Sequence, residues 1–427
     1  MPTVRLAYGD AGLDVEIADD RVTIVEPEFH EGAADPAAEV QRVFRQPDAG
    51  PPLREVVQKG QTVAVSLCDA TRPQPRDLMI PALLAELDGI VRIEDVVLLI
   101  ATGTHRANTD EELRAMLGDD VVDTVRIVNH DAADRSSLQW CGYHGDDVPV
   151  WLNREWTDAD FRVTTGFVEP HFFAGFSGGP KMVAPGLAGL DTVLVLHDAA
   201  RIGSPRATWG VCEGNPVHDD IRAIAAAADV GFSTDVILNR NHEVVSAYGG
   251  ELSAMHRAAR RAARAIAMRA LPHRFEVVVT TNSGFPLDQN LYQAVKGMSA
   301  AAEIVREGGT IICAAECRDG FPDHGSYRSA LSSAESPVGL LAQIADREQT
   351  MTDQWQVQKQ AQVQNSARVL VHSDYLSDHD LRSAHFTPCA DVSEAVEQAL
   401  HEAGPDARVC VLPDGPQTIP YVIEDGP

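Results

Sequence analysis

At 427 residues, 44% of them hydrophobic, the chain is too long for one ordinary core and apolar enough to fill two. Its formal charge of −28 argues against nucleic-acid or anionic-membrane partners, because the summed field repels phosphates and no long block of basic residues overrides it. Seven scattered cysteines without a C-x-x-C pair, a start lacking an apolar leader and the absence of any run of about 18 apolar residues give the expectation of a cytoplasmic, membrane-free protein.

Short β-branched runs alternate with helical periodicity, the pattern of α/β units on mainly parallel sheets. A buried strand is expected at 63–67, then a loop at 68–75 and a helix through Leu78, Leu83, Leu84 and Leu87. The next strand is at 96–100, followed by a short helix capped at Thr109; 124–128 and 161–165 are further strands. A helix opening at Asn215-Pro216 leads to a strand at 236–238, and a helix at 252–270 carries arginines that read as a solvated face. Its Pro-containing exit at 271–274 marks the expected boundary between an N-terminal Rossmann-like domain, 1–272, and a C-terminal α/β domain, 273–427. In the latter, strands at 275–280, 310–315, 369–371 and 409–412 alternate with helices at 289–306, 339–345 and 392–403. A Gln-rich stretch at 354–364 reads as one exposed helix.

Ligands of open α/β sheets lie at the carboxyl ends of strands, and three polar clusters fall at such ends. They are Asp69-Ala70-Thr71-Arg72, Thr102-Gly103-Thr104-His105-Arg106, and Glu169-Pro170-His171 with the glycine loop that follows. His105 and His171, on different loops of one cleft, suit an acid/base pair on a small substrate. Arg72 either grips a carboxylate or pairs with Asp69. Lysine is scarce, with Lys59, Lys181, Lys296 and Lys359 the only four among 35 basic residues, so Lys181 at the end of the glycine loop invites an amine-specific role: a compact charge or a covalent bond.

The loop Gly175-Phe176-Ser177-Gly178-Gly179 satisfies G-x-S-x-G, but Pro170, Pro180 and Pro185 break the strand and helix that a serine-hydrolase elbow needs. Nor is it a Walker loop, since Met182 follows Lys181. Accessible backbone N–H groups beside an amine remain, suited to holding a phosphate and an electrophile together. His197 ends an apolar run, with Asp198 or a carbonyl as the expected partner behind it if it binds a metal.

These clusters, in order, resemble the nickel-dependent lactate racemase family: Asp69-x-x-Arg72, Thr102-Gly103-x-His105-Arg106, Pro170-His171-x-x-Ala174-Gly175-x-Ser177-Gly178-Gly179-x-Lys181, His197 and Tyr292-Gln293-x-x-Lys296. The resemblance implies a nickel-pincer nucleotide, Ni(II) pyridinium-3,5-bisthiocarboxylic acid mononucleotide, tethered to Lys181 as a thioamide and supplied by cofactor maturation enzymes. It implies that His197 is the protein's nickel ligand and that Asp69, Ala70, Thr71, Arg72, Ser177, Gly178 and Gly179 contact the cofactor. By the same resemblance, His105 and His171 are the catalytic acid/base pair. Arg72, Gln293 and Lys296 hold the substrate carboxylate, and Tyr292 and Trp355 shape the pocket.

The reaction so implied is racemisation of a small 2-hydroxy acid, lactate by default, through proton-coupled hydride transfer in a cleft between the two domains. Malate, 2-hydroxyglutarate or an aldonic acid are alternative substrates for the same chemistry. A cofactor carrier without turnover and a hydrolase acting through Ser177 are the readings from other classes. Phe176 stands where the family often has tyrosine.

Overall fold

The computed structural model describes residues 3–17, 22–322 and 325–423. It divides into two compact units. Phe29–Leu196 and Arg206–Ile266 form one, here the glycine-loop unit; Met1–Glu28, His197–Pro205 and Ala267–Pro427 form the other, here the C-terminal unit. In place of a single division at 272, the chain changes unit at 28/29, 196/197 and 205/206 before its last crossing at 266/267. Strand pairing accounts for the first and last crossings, since Val22–Ile24 is an edge of the C-terminal unit's sheet and Met268–Leu271 pairs with Ile419–Val422.

Six strands make the glycine-loop sheet, in the order Val244–Gly250, Phe232–Leu238, Phe161–Phe167, Val63–Cys68, Val96–Ala101, Arg126–Asn129. All run parallel except the antiparallel edge strand Val244–Gly250. Every residue of Val63–Cys68 is buried, as expected of a parallel strand covered on both faces. Val63, Val65 and Leu67 share a core with Met79, Ile80 and Leu83 of the helix Arg76–Leu87.

The C-terminal unit's sheet is parallel throughout, ordered Thr387–Pro388, Arg368–His372, Val305–Ala314, Phe275–Thr281, Val409–Leu412, Val22–Ile24. Val278 and Ile311 belong to one core, Val277, Val279 and Ile312 to another, so alternate residues feed opposite faces. Among the described residues no helix is long and apolar enough to cross a membrane.

Most expected elements are present, and the departures have local causes. Thr124 ends a helix, Asp119–Thr124, whose first turn is acidic; the strand beyond it is Arg126–Asn129. The helix expected at 252–270 stops at Ala267, and the one expected at 289–306 stops at Ala302. Of the arginines expected to be solvated, Arg260 is only 13% exposed beside Glu213, and Arg264 donates to the Gly210 carbonyl. The larger correction concerns the Gln-rich segment. Helix Gln354–Ser366 is not exposed: Gln354, Gln356, Gln358 and Gln360 are all 5% exposed or less. Their amides find backbone partners, Gln358 Nε2 donating to Ala199 O at 2.8 Å and Gln360 Nε2 to Ala384 O at 2.9 Å, which offsets part of the penalty for burying them.

Candidate active site

Asp69 follows directly on strand Val63–Cys68 and is 3% exposed. Its Oδ2 lies 2.6 Å from His105 Nδ1, and its Oδ1 accepts from Thr71 Oγ1 at 2.6 Å and Thr71 N–H at 3.1 Å. Burial alone would raise this carboxyl, but the His105 and Thr71 hydrogen bonds hold it below its ordinary value. The ionised Asp69 therefore takes the Nδ1 proton of His105 as its hydrogen-bond partner, and the lone pair of the neutral ring sits at Nε2.

The loop behind Asp69 is braced by side chains with no evident role in the sequence. Arg76, 6% exposed, donates to the carbonyls of Asp69 and Arg72, each at 3.1 Å. Gln74 receives the Cys68 N–H at 2.7 Å and reaches Thr165 Oγ1 at 2.9 Å; Asn108 receives the Ala70 N–H at 3.2 Å. Arg72 itself is exposed, so the partner of Asp69 is His105. Arg106 pairs with Glu112 instead of joining the cluster.

His105 is tied to the Lys181 turn through a chain of backbone hydrogen bonds. His105 N–H donates to Thr102 O, Gly103 N–H to Gly186 O at 3.0 Å, and Gly186 N–H to Lys181 O at 3.1 Å. Gly103 holds φ +56°, a conformation that favours glycine. Ser66 Oγ donates to Met182 O at 2.6 Å, setting the residue after the lysine on the central strand.

Pro170–His171 and Gly175–Phe176 pair as a two-residue hairpin, and His171 is half-buried. Its Nδ1 accepts the Ala174 N–H at 3.2 Å, while its ring meets Phe172 and Phe173 with centroids 5.1 and 4.5 Å away. Because a backbone N–H points at Nδ1, the neutral ring carries its proton on Nε2, the opposite tautomer to His105. Ser177 Oγ donates to Phe167 O and accepts the Glu169 N–H, both at 2.9 Å. That hydroxyl stitches the loop together, and its hydrogen-bond partners among the described residues are backbone groups, which argues against the hydrolase reading.

Beneath the loop lies a layer of buried polar side chains that the sequence did not single out. Asn215 Nδ2 donates to Phe173 O at 2.9 Å, His256 Nε2 to Ser177 O at 2.9 Å, and Asp235 Oδ2 accepts the Gly179 N–H at 2.7 Å. Burial, then the nearby Arg260 charge, pushes His218 down to about 3 and His256 well below its ordinary value. Lys181 sits half-buried in the single turn Gly179–Met182.

A second cluster occupies the C-terminal unit. His197 is 7% exposed and its ring packs at a tilt against Trp355, centroids 4.8 Å apart. Asp198 does not partner it: that carboxylate caps the helix Ala199–Gly203 and pairs with Arg201. Lys296 Nζ donates to Gln293 Oε1 at 2.8 Å within the helix Leu291–Ala302, and Tyr292 packs edge-on against Tyr327. Helix Gln354–Ser366 connects these parts, since Trp355 meets His197, Gln356 donates to Tyr292 O and Gln358 to Ala199 O.

Comparison with known proteins agrees over nearly the whole chain. Residues 8–210 match the lactate racemase N-terminal domain and 272–419 the lactate racemase C-terminal domain. The lactate racemase of Thermoanaerobacterium thermosaccharolyticum is 32% identical over 425 residues, 98% of this chain and 99% of that protein. Its counterpart from Lactiplantibacillus plantarum is 34% identical over 379 residues, 88% of this chain and 89% of that protein. The solved lactate racemase apoprotein of T. thermosaccharolyticum superposes with a TM-score of 0.91, at 31% identity and covering 98% of this chain and all of that one. By sequence along nearly its full length and by fold, the chain belongs to the lactate racemase family, and it is a racemase.

Proposed function

We propose that the protein interconverts the enantiomers of a small 2-hydroxy acid, lactate first among them, using a nickel-pincer nucleotide tethered to Lys181 and ligated by His197. The donor set fits such a group. Lys181 brings the primary amine that a thioamide requires and a guanidinium cannot replace, and His197 brings one imidazole held by Trp355. When bound, the cofactor supplies the hydride acceptor.

The chain's own residues handle protons and the carboxylate. His105 Nε2 is the resting base: Asp69, 2.6 Å behind the ring, stabilises the imidazolium that forms when the substrate hydroxyl gives up its proton. His171, with its proton on Nε2, meets the substrate as a hydrogen-bond donor; to act as a base it must first move that proton to Nδ1 and release the Ala174 N–H. Lys296, steadied by Gln293, and the exposed Arg72 bind the carboxylate. Asp69, Ala70, Thr71, Ser177, Gly178 and Gly179 supply the cofactor's surroundings, with Ser177 acting through the shape of its loop; Tyr292 and Trp355 wall the substrate.

The observation that carries this reading is the Asp69–His105 pair, a carboxylate-backed base joined through Gly103 and Gly186 to the backbone of Lys181. Protein produced with the cofactor maturation enzymes and given L-lactate alone should form D-lactate until the two are equal, as followed by chiral chromatography. Failure to invert lactate, malate, 2-hydroxyglutarate and aldonic acids alike would overturn the proposal, as would inversion by a metal-free, unmodified sample.

A further inference from the structure

Gly179 lies two residues before the reactive amine, in the turn Gly179–Met182. Its N–H donates to Asp235 Oδ2 at 2.7 Å, and a Cβ added to it would stand 2.5 Å from His256 Cγ. The residue is thus gripped by a carboxyl on one side and an imidazole on the other. His256 in turn donates from Nε2 to Ser177 O at 2.9 Å, fixing the loop two residues upstream. Asp235 belongs to the middle of strand Phe232–Leu238 and is fully buried. A Cβ on Gly166 would meet its Oδ1 at 2.8 Å, and one on Gly178 its Oδ2 at 2.8 Å, so two glycines make the room for this one carboxyl. Its Oδ1 has no hydrogen-bond partner among the described residues, a costly arrangement that the core of a strand does not need.

We propose that Asp235, backed by His256, is a positioning residue for Lys181: its carboxyl holds the Gly179 N–H and thereby fixes the turn that presents the amine for cofactor attachment. This inference rests on the proposed tether for its purpose, but the contact and its effect on the amine belong to the cofactor-free chain. Removing the anchor loosens the start of the turn, while the Gly186 N–H on Lys181 O, Met182 O on Ser66 and the Ser177 contacts stay in place. The amine then samples more positions and meets external reagents more often.

Only four lysines occur, so each can be followed as its own peptide, and the exposed Lys59 serves as an internal reference. Cofactor-free protein is pulsed with acetic anhydride and the acetylation of Lys181 relative to Lys59 is read by mass spectrometry. In Asp235→Ala the ratio should rise about tenfold, the factor that corresponds to one lost hydrogen bond, and Asp235→Asn, which keeps an acceptor oxygen, should restore it. An unchanged ratio in folded Asp235→Ala, or failure of Asn to restore it, overturns the proposal. Should the Ala variant not fold, amide exchange in the wild type decides: the Gly179 amide must be protected, and exchange at the rate of a free amide sinks the inference. None of these readouts depends on turnover, so the proposal can fail while the tether stands, and the tether can fail while Asp235 still holds the turn.

Discussion

The two units hold their functional residues in different ways. In the glycine-loop unit the side chains proposed to react sit on irregular loops at strand ends, whose backbone groups need outside partners, and buried titratable side chains provide them: Asp69 for Thr71, His256 for Ser177, Asp235 for Gly179. In the C-terminal unit, Tyr292, Gln293, Lys296 and Trp355 sit on helices that satisfy their own backbone, and the helix Gln354–Ser366 adds amide contacts from Gln356 and Gln358. Amides do not titrate. A change of protonation can therefore act directly on the braces of the first site, whereas the amide contacts of the second contain no titrating group, so pH and substitution should act on them differently.

The sharpest test of that contrast concerns the two histidines. His105→Asn and His171→Asn should each lower kcat/KM by about 10²- to 10⁴-fold. Because enantiomers have an equilibrium constant of one, each variant must lose the same factor in both directions, so steady-state kcat/KM cannot separate the rings. A single-turnover experiment can. Loaded His105→Asn mixed with one pure enantiomer and quenched in acid should lose the burst of keto acid that the wild type gives with that enantiomer, while the mirror substrate retains it. Equal bursts from both enantiomers would mean that the opposite tautomers of His105 and His171 have no consequence.

Next in size is the pH dependence of stability at Asp235. Burial raises this carboxyl from 3.8 to about 7, the Gly179 N–H pulling it partly back. Between those values the folded chain keeps a proton that the unfolded chain has lost, so this residue's contribution is fully present below about pH 4 and declines as pH rises toward 7. Asparagine has no such proton. Urea unfolding should show Asp235→Asn gaining on the wild type as pH rises from 5 to 8, by at most about 3 kcal/mol, two pKa units at about 1.36 kcal/mol each. A difference that stays flat over that range would show that Asp235 does not titrate there. His218 and His256, held neutral by burial, act in the opposite sense but are common to both proteins and cancel.

What could be read from the chain alone follows the same division. Apolar runs ending in Asp69-x-x-Arg72 and Thr102-Gly103-x-His105 announce strands and the loops beyond them, because a parallel strand is apolar on both faces and its polar exit stands out. The anchors were hidden for the same reason. Asp235 interrupts the run Phe232–Leu238, so the strand was expected to begin after it, when in fact the carboxyl is folded into the sheet. Arg76 has the sequence look of a solvated cation in a first helical turn, yet it is buried under loop carbonyls. In helix Gln354–Ser366 polarity suggested exposure; only the carbonyls of Tyr292, Ala199 and Ala384, distant in sequence, show why amides are stable there. Partners separated by many residues leave no periodic trace, which is also why Val22–Ile24 gave no sign of its place beside Val409–Leu412.

The smallest effect expected is at Gln358, and it bears on the unit that pH should spare. Its Nε2 donates to Ala199 O, just after His197, while its Oε1 is buried without a hydrogen-bond partner among the described residues. Gln358→Leu keeps the volume, removes the unsatisfied oxygen and leaves the Ala199 carbonyl without this donor. The net change in stability should be small, about 1 kcal/mol in either direction, since one bond is lost and one unsatisfied group with it. Attachment at Lys181, followed by intact mass, should be unaffected, whereas nickel retained after dialysis against a chelator should fall, because the segment carrying His197 has lost a restraint. The loss should be the same at pH 6 and pH 8, as no titrating group takes part in the contact. A Gln358→Leu protein that keeps its nickel as the wild type does would show that the Gln358–Ala199 contact does not set the imidazole, and that Gln358 serves packing of the helix only.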